Sequence, residues 1–225
     1  MALYVDSAVI NDVAALSAVY PLAGVTTNPS ILLEAVEGGQ RLSDEETLRG
    51  LMAACEGSVF AQPVGETASG LRAEGERYLA LDAARIVLKL PMTEAGLEAA
   101  QALTRAGARV AFTAVATLAQ TYIGSAAGAA WVIPYFSRLR HAGVDACERV
   151  RDMARLLARQ ESGARLLVAS VKSPADVIEA ATQGARDITA RPAIIRGLLS
   201  DSLTTEAVAR FEADWRKLGE VLGQS

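Results

Sequence analysis

The sequence has very little of the residues that usually carry metal and thiol chemistry. Its 225 residues include one histidine, His141, and two cysteines, Cys55 and Cys147, which share no close motif. Metal-dependent enzymes usually need two or three histidine ligands, and Ser–His catalysis needs a histidine beside the nucleophile. His141 lies in the polar stretch RLRHAG and is expected to face solvent. Lysine, carboxylate and hydroxyl groups are therefore the candidates for catalysis, and no metal or cofactor is expected.

Other absences narrow the class of protein. The formal net charge of −4 and an isoelectric point near 5.2 argue against a nucleic-acid-binding protein, which should be basic. No segment approaches 18 consecutive apolar residues, so no membrane span is expected. The start, MALYVDS, lacks the basic flank and apolar core of a signal peptide. With so few cysteines, reduced thiols and a cytoplasmic location are expected.

What the sequence does have is a regular alternation of short, β-rich apolar runs and amphipathic helical stretches. Helical patterns such as 96–107 and 175–184 both end in glycine, as helices often do. A doubly wound open sheet should have a glycine-rich turn after its first strand, and DSAVINDVAAL has none. The pattern predicts an α/β protein, a single (β/α)8 TIM barrel over residues 1–225. The eight predicted strands are 3–7, 24–28, 59–64, 85–91, 109–115, 131–136, 165–170 and 187–191.

Polar residues recur near the carboxyl ends of these strands, where the catalytic residues of such barrels lie. They are Asp6, Asn28, Gln62, Lys89, Thr113, Tyr135 and Ser170. Lys89 interrupts a strand that should be apolar throughout. It either extends to water along its methylene stem or is an amine kept in a dry pocket, where a lowered pKa lets it attack a carbonyl. Asp6 by itself fits equally an N-cap for a helix starting near Ser7, but the shared location favours a site.

The residues that form these strand ends resemble a known family along almost the whole chain, from Leu3 to about Trp215. The resemblance is to the small transaldolase and fructose-6-phosphate aldolase family. It rests on the segments PLAGVTTNPSI (21–31), FAQ (60–62), IVLKLPMT (86–93), FTAV (112–115), PYFSR (134–138), ASVKSP (169–174) and FEADW (211–215).

The resemblance implies a class I mechanism that uses no metal. Lys89 is expected to form a Schiff base with a ketose, and Asp6 to take a proton from the C4 hydroxyl. Gln62, Thr113 and Tyr135 are expected to hold the water that carries protons. The remaining candidates are substrate-binding: Asn28 and Thr26 for hydroxyls, Ile133 beside the donor, and Arg138, Ser170 and, more weakly, Lys172 for a phosphate.

Two positions favour the aldolase branch of the family, and two others depart from the family pattern. Gln62 and Tyr135 stand where transaldolases tend to have Glu and Phe. Ile133 stands where Ala or Ser is usual and should crowd the donor hydroxyl. Arg191, which ends strand eight, could face an anionic substrate or a neighbouring acid. A transaldolase, or a barrel that binds sugar phosphates without turnover, are the alternatives to an aldolase.

A further helix is predicted beyond the eight that a barrel needs. Residues 193–200 provide the eighth helix, and 204–222 form another, capped by Thr204 or Thr205. Val208, Phe211, Trp215 and Leu218 recur on one face of it. The resemblance implies a homo-oligomer, a decamer or other pentamer-based ring, in which this helix packs on a neighbouring subunit. The expected partners are otherwise small-molecule sugars and sugar phosphates.

Overall fold

The computed structural model describes residues 1–161 and 163–223, and these form a closed eight-stranded barrel. Each strand runs parallel to its two neighbours in chain order, and β1 pairs with β8 to close the ring. This confirms the predicted (β/α)8 TIM barrel. The strands are β1 (Ala2–Asp6), β2 (Leu22–Thr26), β3 (Ser58–Ala61), β4 (Ile86–Pro91), β5 (Val110–Val115), β6 (Trp131–Pro134), β7 (Arg165–Val168) and β8 (Asp187–Ala190).

Helices surround the barrel, and their starts follow from local capping chemistry. The side chains of Thr93 and Ser173 accept hydrogen bonds from the backbone nitrogens three residues on, so both residues are N-caps. The helices of the described residues are α1 (Ile10–Ser17), α2 (Pro29–Glu37), α3 (Asp44–Ala54), α4 (Ala68–Leu79), α5 (Glu94–Arg105), α6 (Leu118–Ala126), α7 (Phe136–His141), α8 (Ala146–Gln160), α9 (Pro174–Thr182), α10 (Pro192–Gly197) and α11 (Ser202–Val221). Among these residues, no helix is both long and apolar enough to cross a membrane.

Six of the eight strands end one to three residues before the predicted position, whereas β4 and β5 end where the sequence pattern placed them. Strand β6 ends at Pro134 and β7 at Val168. Asn28, Gln62, Tyr135 and Ser170 therefore lie in the first residues of the following loops. Loop backbone is less constrained than a strand by neighbouring pairing, so these side chains can turn towards the barrel axis.

The inside of the barrel is filled by an apolar layer below the carboxyl ends of the strands. Phe60 lies at its centre and makes edge-on ring contacts with Tyr4 at 5.4 Å and Trp131 at 5.0 Å between centroids. Ile133 belongs to the same layer. A filled interior is usual for this fold, and it forms a floor under the space at the carboxyl end.

Helix α11 differs from the other helices because none of its residues is buried. Phe211 and Trp215 are 65% and 74% exposed. The predicted start is wrong by a few residues, since Asp201 is the N-cap and its side chain accepts a hydrogen bond from the nitrogen of Thr204. The two threonines lie inside the helix. The structure thus contains the extra helix, with its apolar face uncovered in the single chain.

Candidate active site

A cavity of about 460 Å³ opens at the carboxyl end of the barrel. Its wall includes every one of the seven polar residues that the sequence placed at the strand ends, together with Arg138 and Lys172. Residues that lie far apart in the chain meet here because the carboxyl ends of parallel strands share one face of the barrel. The seven are Asp6, Asn28, Gln62, Lys89, Thr113, Tyr135 and Ser170.

Lys89 is the most buried charged-type side chain of this wall, with 3% of its surface exposed. Its amine does not extend to water and instead donates a hydrogen bond of 2.9 Å to the backbone carbonyl of Thr27. Burial lowers the pKa of Lys89 from 10.5 to about 8, and the nearby carboxylate of Asp6 opposes that shift. Of the two alternatives left open by the sequence, the structure therefore favours a buried amine over one that extends to water.

Asp6, the last residue of β1, lies at the end of a chain of hydrogen bonds formed by hydroxyl groups of two other strands. Its Oδ1 accepts a 2.7 Å hydrogen bond from Thr26, whose hydroxyl also lies 2.6 Å from that of Thr189. Because Thr26 has one hydrogen to give, Thr189 donates to Thr26 and Thr26 donates to Asp6. Asp6 is not an N-cap, since α1 begins after Val9 without a side-chain cap.

The three residues proposed to hold water all line the cavity. The hydroxyls of Thr113 and Tyr135 are 2.7 Å apart. Gln62 has a buried side-chain oxygen with no hydrogen-bond partner among the described residues. A buried acceptor without a partner is uncommon and normally binds water or a ligand, so this oxygen is available to a molecule in the cavity.

Two residues of the cavity wall have an unusual backbone conformation. Ala114 and Ser170 adopt φ values of 59° and 60°, which non-glycine residues seldom do and which are concentrated at functional sites. Ala114 lies where the register between β5 and β6 shifts. Asn28 uses its side-chain oxygen to cap α2, so its amide nitrogen is the group it can offer to a substrate hydroxyl.

Cationic side chains lie around the rim of the cavity. Arg138 is exposed, and its guanidinium stacks 4.7 Å over the ring of Tyr135. Lys172 is exposed as well. Arg191, for which the sequence left two roles open, forms a two-point ion pair with Glu34, at 2.6 and 3.0 Å. That pairing lowers the pKa of the Glu34 carboxyl.

Thr26 and Ile133 are not among the residues that line the cavity, so their expected contact with substrate stays a prediction. Each lies two residues before a residue that does line it, Asn28 or Tyr135. Two residues along a strand span about 6 to 7 Å, so both side chains point inward but one layer deeper. Ile133 is 1% exposed and packs in the apolar floor. Thr26 acts on the site through Asp6.

Two residues of the site were missed by sequence reasoning. Glu34 lies in α2, where an acidic residue on an outer helix gives no signal that it will pair with the end of β8. Thr189 precedes Arg191 by two residues, so the alternation of side chains along a strand places both on one face. This spacing could have indicated Thr189 from the sequence.

His141 is exposed at the end of α7, as expected. Within residues 1–161 and 163–223, no group of three or more His, Cys, Asp or Glu side chains is placed to hold a metal ion.

Comparisons with known proteins show the family to which the chain belongs. Residues 3–222 match the family described as Transaldolase/Fructose-6-phosphate aldolase. A probable transaldolase of Thermus thermophilus is 34% identical over 222 residues, which cover 97% of this chain and 99% of that protein. A probable transaldolase of Bacillus cereus is 34% identical over 220 residues, covering 98% and 100%. An inosine 5'-monophosphate dehydrogenase from Legionella pneumophila, at 13% identity and a TM-score of 0.60 over 86% of this chain and 58% of that one, shares the fold alone. The chain therefore belongs to the transaldolase/fructose-6-phosphate aldolase family.

Proposed function

We propose that this chain is a class I aldolase that cleaves and forms a ketose phosphate such as fructose 6-phosphate through a Schiff base on Lys89. The observation that carries the proposal is the buried amine of Lys89, which shares a cavity with the carboxylate of Asp6. Only a neutral amine attacks a carbonyl. With a pKa of about 8, about a tenth of the amine is neutral at pH 7, some 300-fold more than at a pKa of 10.5.

In the proposed reaction, the nitrogen of Lys89 bonds to C2 of the ketose and water leaves, which gives an iminium. Asp6 then takes the proton of the C4 hydroxyl. The C4 oxygen becomes the aldehyde of glyceraldehyde 3-phosphate, and the electron pair of the C3–C4 bond moves to the iminium and forms an enamine. Protonation of the enamine at carbon and addition of water release dihydroxyacetone and restore the amine.

The pair formed by Thr113 and Tyr135 supports the aldolase branch of this proposal. Two hydroxyls 2.7 Å apart, in the cavity that the unpartnered oxygen of Gln62 also lines, make a site suited to a water molecule that exchanges protons with the enamine. A phenol in reach of that water can supply the proton that frees dihydroxyacetone. The phosphate end of the substrate would then meet Arg138, Ser170 and Lys172.

Transaldolase is the second candidate, and the names of the relatives favour it. The Thermus and Bacillus proteins are both called probable transaldolases. In that reaction the enamine is not released but attacks an acceptor aldehyde such as erythrose 4-phosphate. The two functions share every step up to the enamine, so they differ only in its fate.

Reductive trapping tests the shared part of the proposal. The protein is incubated with fructose 6-phosphate and borohydride, and the modified residue is located by mass spectrometry. An adduct on Lys89 is expected, and no adduct in Lys89→Arg, because an arginine supplies no neutral amine. A protein that binds the sugar phosphate but gives no adduct would be a non-catalytic barrel. Turnover of fructose 6-phosphate with and without erythrose 4-phosphate then separates aldolase from transaldolase.

We also propose that α11 packs against a neighbouring copy of the chain in a pentamer-based ring. Its apolar face, which includes Phe211 and Trp215, is uncovered in the single chain. Exposed patches of this kind usually mark an interaction surface. The proposal also draws on the resemblance of the chain to a family of ring-built oligomers.

A further inference from the structure

We infer that Arg191, fixed by Glu34, is a positioning residue that keeps the carboxylate of Asp6 away from the amine of Lys89. The inference rests on the proposed function, because it matters only if Lys89 reacts as a neutral amine. It assigns a role in the cavity to Arg191, a position at which the sequence departs from the family pattern and for which two roles were left open.

Arg191 is restrained at its backbone and at its guanidinium. Its backbone precedes Pro192, which restricts the φ and ψ angles available to it. Both terminal nitrogens of the guanidinium bind the two oxygens of Glu34, at 2.6 and 3.0 Å. A two-point pair fixes the plane of the guanidinium, and its Nε then lies 4.0 Å from Oδ2 of Asp6.

The other carboxylate oxygen of Asp6, Oδ1, has a partner of its own. Thr26 donates its 2.7 Å hydrogen bond to Oδ1, so the carboxylate sits between a hydroxyl and a guanidinium. The ion pairs formed within the described residues include none between Lys89 and Asp6. The amine binds the neutral carbonyl of Thr27 instead. Asp6 thus lies in the same cavity as Lys89 and has its own partners.

This separation matters because the two influences on Lys89 oppose each other. Burial lowers the pKa of the amine and Asp6 raises it, with burial the larger. A carboxylate in direct contact with a lysine favours the ammonium form, which cannot attack a carbonyl. Without Arg191, Asp6 would lose one of its two restraints and could approach Lys89, on whose pKa it already acts. The charged or titratable side chains that share this cavity with Lys89 are Asp6, Glu34, Tyr135, Arg138, Lys172 and Arg191.

The test is the pH profile of Schiff-base formation in Arg191→Leu. Dihydroxyacetone is the probe, since it carries no phosphate, and cyanoborohydride traps the adduct between pH 6 and 10. We expect the midpoint of the profile to move up by about one pH unit, with the wild-type rate regained at high pH. Arg191→Lys, which keeps a cation, should shift less. Arg196→Leu is the matched control, because Arg196 pairs with Asp12 on the outer surface, and its profile should equal that of the wild type.

Glu34→Gln gives an independent check on the same geometry. It should shift the profile in the same direction by a smaller amount, and it should add nothing in an Arg191→Leu background, since the two residues act as one unit. An unchanged profile in a folded Arg191→Leu variant would overturn the inference. So would a rise in KM for fructose 6-phosphate alone, which would make Arg191 a phosphate-binding residue. If the wild type itself gives no adduct on Lys89, the proposed function fails, and that result is distinct from either outcome.

Discussion

Replacing Lys89 by Met should abolish turnover and at the same time stabilise the fold at neutral pH. The amine is 3% exposed, and burial lowers its pKa from 10.5 to about 8. A shift of about 2.5 pKa units corresponds to about 3 kcal/mol of preference for the neutral form. Below pH 8 the amine is charged in both the folded and unfolded chains, so folding carries that cost in full. Met is similar in length and has no charge to desolvate.

The net gain is smaller than this figure because the substitution also removes a hydrogen bond. The carbonyl of Thr27, which accepts from Lys89 at 2.9 Å, would lose this partner, at a cost of about 1 kcal/mol. The expected stabilisation at pH 7 is therefore about 2 kcal/mol. As pH rises from 8 towards 10.5, the folded protein has already released its proton while the unfolded chain still binds one. The cost to the wild type fades over that window, and the advantage of the variant should disappear near pH 10, where the remaining cost only matches the lost hydrogen bond.

Urea unfolding of the wild type and Lys89→Met at pH 7, 9 and 10, at one protein concentration, measures both the size and the pH dependence of the difference. Comparing the two proteins at each pH cancels other groups that titrate in this range. Lys217→Met provides the control, since Lys217 is exposed on α11 and its removal should change stability little at any pH. A variant that is no more stable than the wild type at pH 7, or a difference independent of pH, would refute the idea that burial depresses the pKa of this amine.

Three further predictions concern the enamine, the barrel floor and assembly. Tyr135→Phe should lower the release of free dihydroxyacetone more than it lowers transfer to an acceptor, as measured by paired assays; an equal fall would limit Tyr135 to packing. Ile133→Ala should destabilise the protein by about 3 kcal/mol in urea unfolding and favour dihydroxyacetone over hydroxyacetone as donor, and an unchanged preference would mean that the floor does not reach the donor. Truncation after Ser202 should give smaller species in light scattering, whereas an unaltered assembly would assign α11 to its own barrel.

Sequence periodicity was enough to predict the barrel and the seven polar residues around its cavity. Both depend on local information, namely the alternation of strands and helices and the position of a polar residue at a strand end. The depth of a side chain along the barrel axis was harder to predict. Ile133 and Tyr135 are two residues apart and both were expected to point inward, but only Tyr135 lines the cavity. Contacts between residues that are far apart in the sequence could not be predicted. Arg191 and Glu34 are 157 positions apart, and no local pattern in either segment indicates which acid will bind the guanidinium.

Buried ionisable groups are paired differently at the two ends of the barrel, and this difference concerns the role of Lys89. At the amino end, the fully buried Asp187 is bound by two nitrogens of Arg165 and by the indole of Trp131 at 2.9 Å. A buried charge that serves structure is normally paired in this manner, because leaving it unpaired costs several kcal/mol. At the carboxyl end, Asp6 shares the cavity with Lys89, yet it binds Thr26 and approaches Arg191 instead. The complete pairing of Asp187, set against an amine of Lys89 that binds only a neutral carbonyl, supports the proposed role of Lys89 as a reactive amine.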